Sequence, residues 1–393
     1  MKKIAHYAPQ LWAKGGIATY VRRLGAAQEA AGLDVIYLSQ NPAHESENER
    51  TFIVKNEAHL FEMAEEQDID ILHLHKPVFD LPAKRVTTVR TMHGNQGSCP
   101  SGTRFLARST RPCNKSYSLA GCFVSHFTER CGSVKPAKLK RSFRSIRTEF
   151  NLGKQLHTFT VSHFLKDWML KTGFSSERLH VLNSPAPESP PNVSSPPEEG
   201  IPRFLFVGRL VPEKGVAWLL RALRDVKSDI KLDIGGDGAL RPELENYCAA
   251  HGLTDKVEFH GWVDQDAVGR MMSNARAVIF PSVWQEPAGL VTLEAAAAGR
   301  AVIASRAGGI PEYALDEFAF LVQPNNTVQL SNAIDKLAQD YELSARMGAC
   351  AIRSANSRYA LSTFLKKQLS LYEIALGRPK TSQTTIPTSD VAE

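Results

Sequence analysis

Short apolar runs alternate with stretches of helical periodicity along most of this chain. Lys3–Ala8 reads as a first strand, followed by a loop at Gly15-Gly16. Ile17–Ala31 then carries Ile17, Tyr20, Val21 and Leu24 at helical spacing and stops at Gly32. Leu33–Leu38, Ile69–His75, Arg85–Met92, Leu156–Val161 and Leu179–Leu182 read as further strands, with a helix from Ser162. Such alternation predicts a parallel sheet covered by helices.

The pattern breaks at Asn183–Pro202. Pro185, Pro187, Pro190, Pro191, Pro196, Pro197 and Pro202 sit there among Ser, Glu and Asn, the composition of a semi-extended linker. Then it restarts. Arg203–Val207, Lys231–Ile234, Val257–His260, Ala277–Phe280 and Ala301–Ala304 read as strands. Helices are expected at about Val216–Val226, Arg241–His251, Asp266–Asn274, Ala288–Ala298 and Val328–Leu337. The expected fold is therefore α/β, with two Rossmann-like doubly wound domains facing each other across a cleft. The first spans 1–183, with an insert at about 94–155. A linker covers 184–202 and the second domain 203–360. A helix at about 361–379 is expected to pack back on the first domain, ahead of a polar tail, 380–393, of disordered composition.

Composition narrows the class little. The 393 residues are 43% hydrophobic and 22% charged, ordinary for a soluble globular protein. A net charge of +6 suits an anionic ligand or an acidic membrane surface and does not call for nucleic acid. The start Met1-Lys2-Lys3-Ile4 is too short an apolar run for a signal peptide. No run approaches the ~18 apolar residues of a membrane span. The expected location is the cytoplasm, with the inner face of the cell membrane as a candidate docking surface.

Three segments carry chemistry. In Phe206–Gly215 a strand ends at Gly208, and Arg209 and Lys214 sit in the turn before a helix. A guanidinium fork and an ammonium point charge together suit a diphosphate. In Gly235-Gly236-Asp237-Gly238, glycines after a strand let backbone approach a ligand closely. In Glu286–Glu294, Pro287 and Gly289 mark a helix start, where the amides of Gly289, Leu290 and Val291 favour a phosphate. Glu286 precedes that helix, where a carboxylate can accept sugar hydroxyls. Glu294 lies about two turns in, can accept a vicinal diol, and is expected at a tightly packed position because alanines follow it. Singly, each segment also reads as surface cations, a tight turn or dipole-favoured acids.

Together the three segments resemble the retaining glycosyltransferases of family four, which have the GT-B fold. The resemblance covers nearly the whole chain and rests most specifically on the Glu-x7-Glu motif, Glu286 to Glu294. It implies that Arg209 and Lys214 bind the diphosphate of a nucleotide-sugar donor. It also implies that Glu286 contacts the transferred sugar and Glu294 the ribose. Gly16 would approach the phosphate from the first domain, and His93, in Met92-His93-Gly94, would lie near the reacting carbon. Ala288 departs from the Phe common at its position. The acceptor would be a glycan, a lipid-linked species or a small molecule.

Retention passes through an oxocarbenium-like state, so the protein must stabilise a positive ring and a departing diphosphate. Arg209, Lys214 and the helix amides supply that, and no metal cofactor is then required. Asp68-Ile69-Asp70 has metal-motif spacing but reads as a polar turn before a strand. Competing readings are a nucleotide-sugar epimerase or hydrolase on the same scaffold, or a non-catalytic nucleotide-sugar-binding protein.

The insert holds Cys99, Cys113, Cys122 and Cys131, separated by 13, 8 and 8 residues. Structural zinc, disulfides and unlinked thiols all remain open, since the short Cys-x2-Cys pairs of zinc sites are missing. Lys135, Lys138, Lys140, Arg141, Arg144 and Arg147 then surround Leu139, Phe143 and Ile146, which share a helical face. Such a segment suits either an anionic membrane or ordinary docking on the fold.

Overall fold

The computed structural model describes residues 3–13, 15–41, 50–79, 86–189 and 193–378. Lys14, the start of the strand expected at Arg85, Pro190, Pro191 and the 380–393 tail lie outside these residues.

In the first domain β1 (Lys3–Tyr7), α1 (Gly16–Ala30), β2 (Asp34–Ser39), β3 (Thr51–Ile53), α2 (Glu57–Glu66), β4 (Ile71–Leu74) and β5 (Thr87–Met92) follow in order. The insert contributes a two-stranded hairpin, β6 (Phe105–Leu106) and β7 (Arg111–Pro112), then α3 (Leu119–Thr128) and α4 (Pro136–Gly153). β8 (His157–Thr160), α5 (His163–Lys171) and β9 (Leu179–Val181) complete it. The sheet is parallel, in the order β3-β2-β1-β4-β5-β8-β9.

The second domain has β10 (Arg203–Val207), α6 (Val216–Leu223), β11 (Lys231–Gly235), α7 (Arg241–Ala250), β12 (Val257–Gly261), α8 (Gln265–Ser273) and β13 (Ala277–Phe280). α9 (Leu290–Ala297), β14 (Ala301–Ser305), β15 (Ala319–Val322), α10 (Thr327–Gln339) and α11 (Tyr341–Asn356) follow. Its sheet is also parallel, β12-β11-β10-β13-β14-β15. Strands buried on both faces explain the unbroken apolar runs, such as Ala277–Phe280 and Ala301–Ala304, all at most 3% exposed. Finally α12 (Leu361–Ala375) lies on the first domain, where Phe364, Leu365, Leu369 and Tyr372 share a core with Ile4, Leu24, Ile71 and Phe159.

Besides β6, β7 and α3 of the insert, four elements do not show in the periodicity: β3, α2, β15 and α11. α2 buries only Leu60 and Ala64. α11 buries Ser344, Met347, Gly348, Ala351 and Ala355, a face of mostly small residues with no apolar stripe to read. Its partner is backbone, since a side chain at Gly348 would meet Gly299 O at 2.3 Å.

The described parts of the proline-rich stretch are tied down. Ser184 and Ala186 are buried, and Ser184 N donates to Tyr313 Oη (2.9 Å). The Arg276 guanidinium donates to Pro197 O, and Arg300 Nη1 to Ser194 O (2.8 Å). Composition suggests a loose linker, but buried arginines recruit its carbonyls.

Candidate active site

In both sheets the carboxyl ends of the strands carry the residues the sequence singles out. Gly208 leaves β10 and Gly236 leaves β11, and the two backbones abut. A Cβ at Gly236, whose φ is 142°, would sit 1.9 Å from Gly208 O. Only glycine permits that approach. Arg209 follows, 70% exposed by side chain, with Glu213 at 3.8 Å.

Lys214 and Glu286 form the centre. Lys214 Nζ donates to Glu286 Oε1 at 2.6 Å, and Ser282 Oγ lies 2.9 Å from the same oxygen. Glu286 is 5% exposed. Lys214 Nζ also stands 5.5 Å from the ring centres of both Phe280 and Trp284, a cation held over aromatic faces. The sequence reading assigned these two side chains to separate ligand groups, whereas the fold pairs them. The loop is held from behind by Gly309 N donating to Glu286 O at 2.7 Å. Gly308 (φ 59°) leaves room for it, since a Cβ there would meet Glu286 N at 2.4 Å.

Gly289 caps α9, and Leu290 and Val291 form its first turn, whose amides have no partner inside the helix. Glu294 is solvent-exposed, which corrects the packed position expected from the alanines after it. Those alanines, Ala295 to Ala297, are buried on the other side of the helix. Glu294 opens into the cleft, and desolvation by the surrounding protein raises its carboxyl to about 7, with Arg23 of α1 pulling it down. Solvent entering through the cleft screens part of that effect.

His93 follows β5 and closes a chain of hydrogen bonds, buried beyond His75, that the sequence did not disclose. His93 Nε2 lies 3.1 Å from His75 Nδ1, His75 Nε2 lies 3.0 Å from His6 Nδ1, and His6 Nε2 lies 2.7 Å from Gln28 Oε1. Gln28 Nε2 donates to Gln368 Oε1 of α12 (2.8 Å). Burial lowers His6 to about 4 and His93 to about 3, and holds His75 well below the ordinary range. The rings are therefore neutral. With the Gln28 oxygen facing His6, each ring donates toward Gln28, which leaves His93 Nδ1 as an acceptor. His6 lies in β1 and His75 just beyond β4, while His73 of β4 bonds outside the row, to Tyr372 Oη (2.6 Å) and Thr91 Oγ1 (2.7 Å). Only the β1–β4 register, His6 opposite His73, brings His6 and His75 together.

A cavity of about 330 Å³ beside His93 is lined by His75, Lys76, Arg90, Arg141 and Glu149. Arg90 and Glu149 form a buried ion pair. The larger cavity of about 670 Å³ near Glu29 and Arg50 touches Asp34, at the amino end of β2, away from this chemistry. The Asp68-x-Asp70 motif also lies at the wrong edge. Asp68 sits in a left-handed turn (φ 50°), and Asp70 Oδ2 accepts from Lys3 N at 3.1 Å.

The two domains are joined directly at the donor loop. Asn95 Nδ2 donates to Gln285 O (3.2 Å), Arg104 Nε to Gln285 Oε1 (3.1 Å), and Ser162 Oγ to Pro287 O (2.6 Å). Trp284 Nε1 donates to Thr103 O. Glu312 caps α5, accepting from His163 N (2.7 Å) and Phe164 N (2.8 Å). The insert is thus part of the cleft wall. Its α4 spends its apolar face internally, with Leu139 and Ile146 buried and Phe143 5.3 Å from the His126 ring. This removes α4's apolar face as a membrane contact. Exposed apolar residues lie instead on α3, namely Leu119 (65%), Phe123 (47%), Val124 (56%) and Phe127 (52%). No helix among the described residues is long and apolar enough to cross a membrane.

Residues 192–353 match the family described as glycosyl transferases group 1, and residues 14–186 match glycosyltransferase family 4. An uncharacterized glycosyltransferase of Methanocaldococcus jannaschii is 34% identical over 176 residues, 44% of this chain and 45% of that protein. An α-D-kanosaminyltransferase of Streptomyces kanamyceticus is 32% identical over 180 residues, 44% and 46% of the two chains. The chain thus spans a little under half the length of these curated relatives. A glycosyltransferase structure from Rickettsia africae superposes with a TM-score of 0.70 at 18% identity, covering 96% of this chain and 99% of that one. Anabaena HepE, in complex with UDP and glucose, gives 0.68 at 17% identity, covering 95% and 100%. At such identities the likeness establishes the fold, two facing α/β domains of the GT-B type.

Proposed function

The chain belongs to the group 1 glycosyltransferases, and from that premise we propose that it is a retaining, metal-independent enzyme. In this reading it moves a sugar from a nucleotide diphosphate donor to a glycan, lipid-linked or small-molecule acceptor. The observation that carries the reading is the Lys214–Glu286 pair at the carboxyl edge of the second sheet, 2.6 Å apart and beside the amino end of α9.

Its chemistry follows from charge. Glu286 Oε1 is engaged by Lys214 and Ser282, which leaves Oε2 to accept sugar hydroxyls. The Lys214 ammonium, Arg209 and the amides of Gly289, Leu290 and Val291 take up the charge that grows on the leaving diphosphate. Gly16, at the start of α1, brings backbone amides from the opposite domain. Glu294 accepts the ribose diol. His93 Nδ1, an acceptor on a ring that stays neutral, orients a hydroxyl and does not deliver a proton at neutral pH. The departing phosphate oxygen is the base that deprotonates the acceptor on the same face of the ring. HepE, whose structure holds UDP and glucose, favours this donor class at the level of chemistry.

The acceptor is assigned to the His93 side of the cleft, where Lys76, Arg90 and Arg141 make the cavity cationic. For a lipid-linked acceptor, the exposed face of α3 rests on an anionic membrane whose headgroups meet the exposed Lys135, Lys138 and Lys140.

Nucleoside diphosphate release is measured in EDTA with a panel of nucleotide sugars, for the wild type and Glu286→Ala. Slow release from one donor class, lost in the variant, is expected. Release that returns only with a divalent metal overturns metal independence, and an inverted anomeric product overturns retention. No release from any donor, even with cell-derived lipid and glycan acceptors, favours a binding protein.

A further inference from the structure

The four cysteines of the insert wall a cavity of about 90 Å³, separate from the cleft. Cys99 follows the turn at Asn95–Gly97, Cys113 follows β7, Cys122 sits in α3 and Cys131 lies beyond its end. All four are free thiols. His126 lines the same cavity and is 1% exposed. Its Nδ1 donates to Cys122 O (2.7 Å) and lies 3.7 Å from Cys131 Sγ, while its buried Nε2 has no hydrogen-bond partner. A carbonyl on Nδ1 selects the tautomer that leaves a bare, buried lone pair on Nε2, beside Gly132, where a Cβ would meet Nε2 at 2.5 Å.

We propose that Cys99, Cys113, Cys122 and Cys131 hold an iron–sulfur cluster that braces the donor loop. Size decides between this and a single ion. With Zn–S bonds of about 2.3 Å, tetrahedral zinc draws its sulfurs to about 3.8 Å of one another. Among the described residues, three such ligand atoms come within 4.8 Å only at His6, His73 and His75 and at Asp233, Glu258 and His260, never among these cysteines. A single water needs only about 10–15 Å³ of such space, so the cavity is several times larger than one ion fills. A polynuclear cluster sets its cysteines farther apart, because its own iron and sulfide ions occupy the middle, and four cysteine thiolates are its ordinary donor set.

Charge agrees with size. A cluster on four thiolates is anionic. Arg104, 2% exposed, supplies a buried guanidinium at the cage wall, donating to Ser98 O (3.3 Å) and Cys113 O (2.9 Å). The same side chain donates through Nε to Gln285, the neighbour of Glu286. The cage and the donor loop therefore share one rigid contact. The assignment does not depend on which sugar is transferred, or on transfer at all.

The test is metal and sulfide analysis of the full chain purified without oxygen, followed by reconstitution with ferrous iron and sulfide. Iron and acid-labile sulfide in equal amounts, with visible absorption bleached by dithionite, are expected. Both should be lost in Cys113→Ser and Cys122→Ser and kept in Cys248→Ser, whose thiol is elsewhere. A Mössbauer spectrum of the wild type reads the cluster without any variant. One equivalent of zinc without sulfide overturns the assignment, and so do disulfides among these cysteines. Failure to take up iron and sulfide on reconstitution also overturns it.

Discussion

Lys214→Met separates what the central pair does for the fold from what it does for the reaction. Methionine keeps an unbranched stem against Phe280 and Trp284 and removes only the charge. In the wild type, Nζ lies 2.6 Å from Glu286 Oε1, the glutamate side chain is 7% exposed and the lysine 16%. Removing one partner of a buried pair costs about 3–5 kcal/mol, because the other charge is left unpaired. The partial exposure of Lys214 and the remaining Ser282 contact place this case near the lower end. At about 2–4 °C per kcal/mol for a domain of this size, the melting temperature should fall by about 6–12 °C. Turnover should fall about 10²–10³-fold, since a cation facing a developing anion is worth about 2.7–4 kcal/mol. Adding Glu286→Gln removes the unpaired charge. The double variant should therefore regain most of the stability and none of the activity. Thermal melts and nucleoside diphosphate release read the two effects independently. If Lys214→Met melts early yet turns over within about threefold of wild type, a difference under 1 kcal/mol, Lys214 serves the fold alone and the leaving-group assignment is wrong.

The Glu294 carboxyl, raised to about 7, is protonated below that pH and charged above it. Nucleotide affinity by calorimetry should therefore strengthen as pH rises through 7 more steeply than in Glu294→Gln, which keeps only the ionisation of the nucleotide's own terminal phosphate, of pKa about 6. A wild-type profile no steeper than that of Glu294→Gln would falsify the ribose contact. His75→Phe leaves His6 Nδ1 and His93 Nε2 unpartnered, and should cost about 2–4 kcal/mol of stability and slow turnover. Unchanged turnover in the folded variant shows that His93 works without the chain behind it. Phe123→Ser with Phe127→Ser should weaken flotation on vesicles containing anionic lipid by more than tenfold, each ring contributing about 1.5–3 kcal/mol on insertion. Equal absence of the wild type from vesicles with and without anionic lipid rejects the membrane face.

Local chemistry was enough for much of this protein. The double-sided burial of parallel strands writes itself as apolar runs, so Arg203–Val207 and Ala277–Phe280 are legible residue for residue. The turns that follow them need glycine, and helix starts favour proline and glycine, so the donor loops announce themselves at Gly208, Gly236 and Gly289. α12 is equally plain, because its apolar residues follow one face. What the sequence could not settle depends on register and on crossings between domains. The pairing of Lys214 with Glu286 joins residues 72 apart. The histidine row exists because β1 and β4 are neighbours in the sheet, although a helix, two strands and another helix separate them in the chain. Glu294 sits among alanines that suggest burial, yet the cleft exposes it, because a helix buries one face and the two-domain arrangement chooses which. The insert shows the same limit. Spacings of 13, 8 and 8 do not specify a site, and only the fold of the hairpin against α3 draws four thiols around one cavity. Sequence carries what is local and periodic, while side chains that meet through space are decided by packing, where the unfolded chain gives no preference to one distant partner over another.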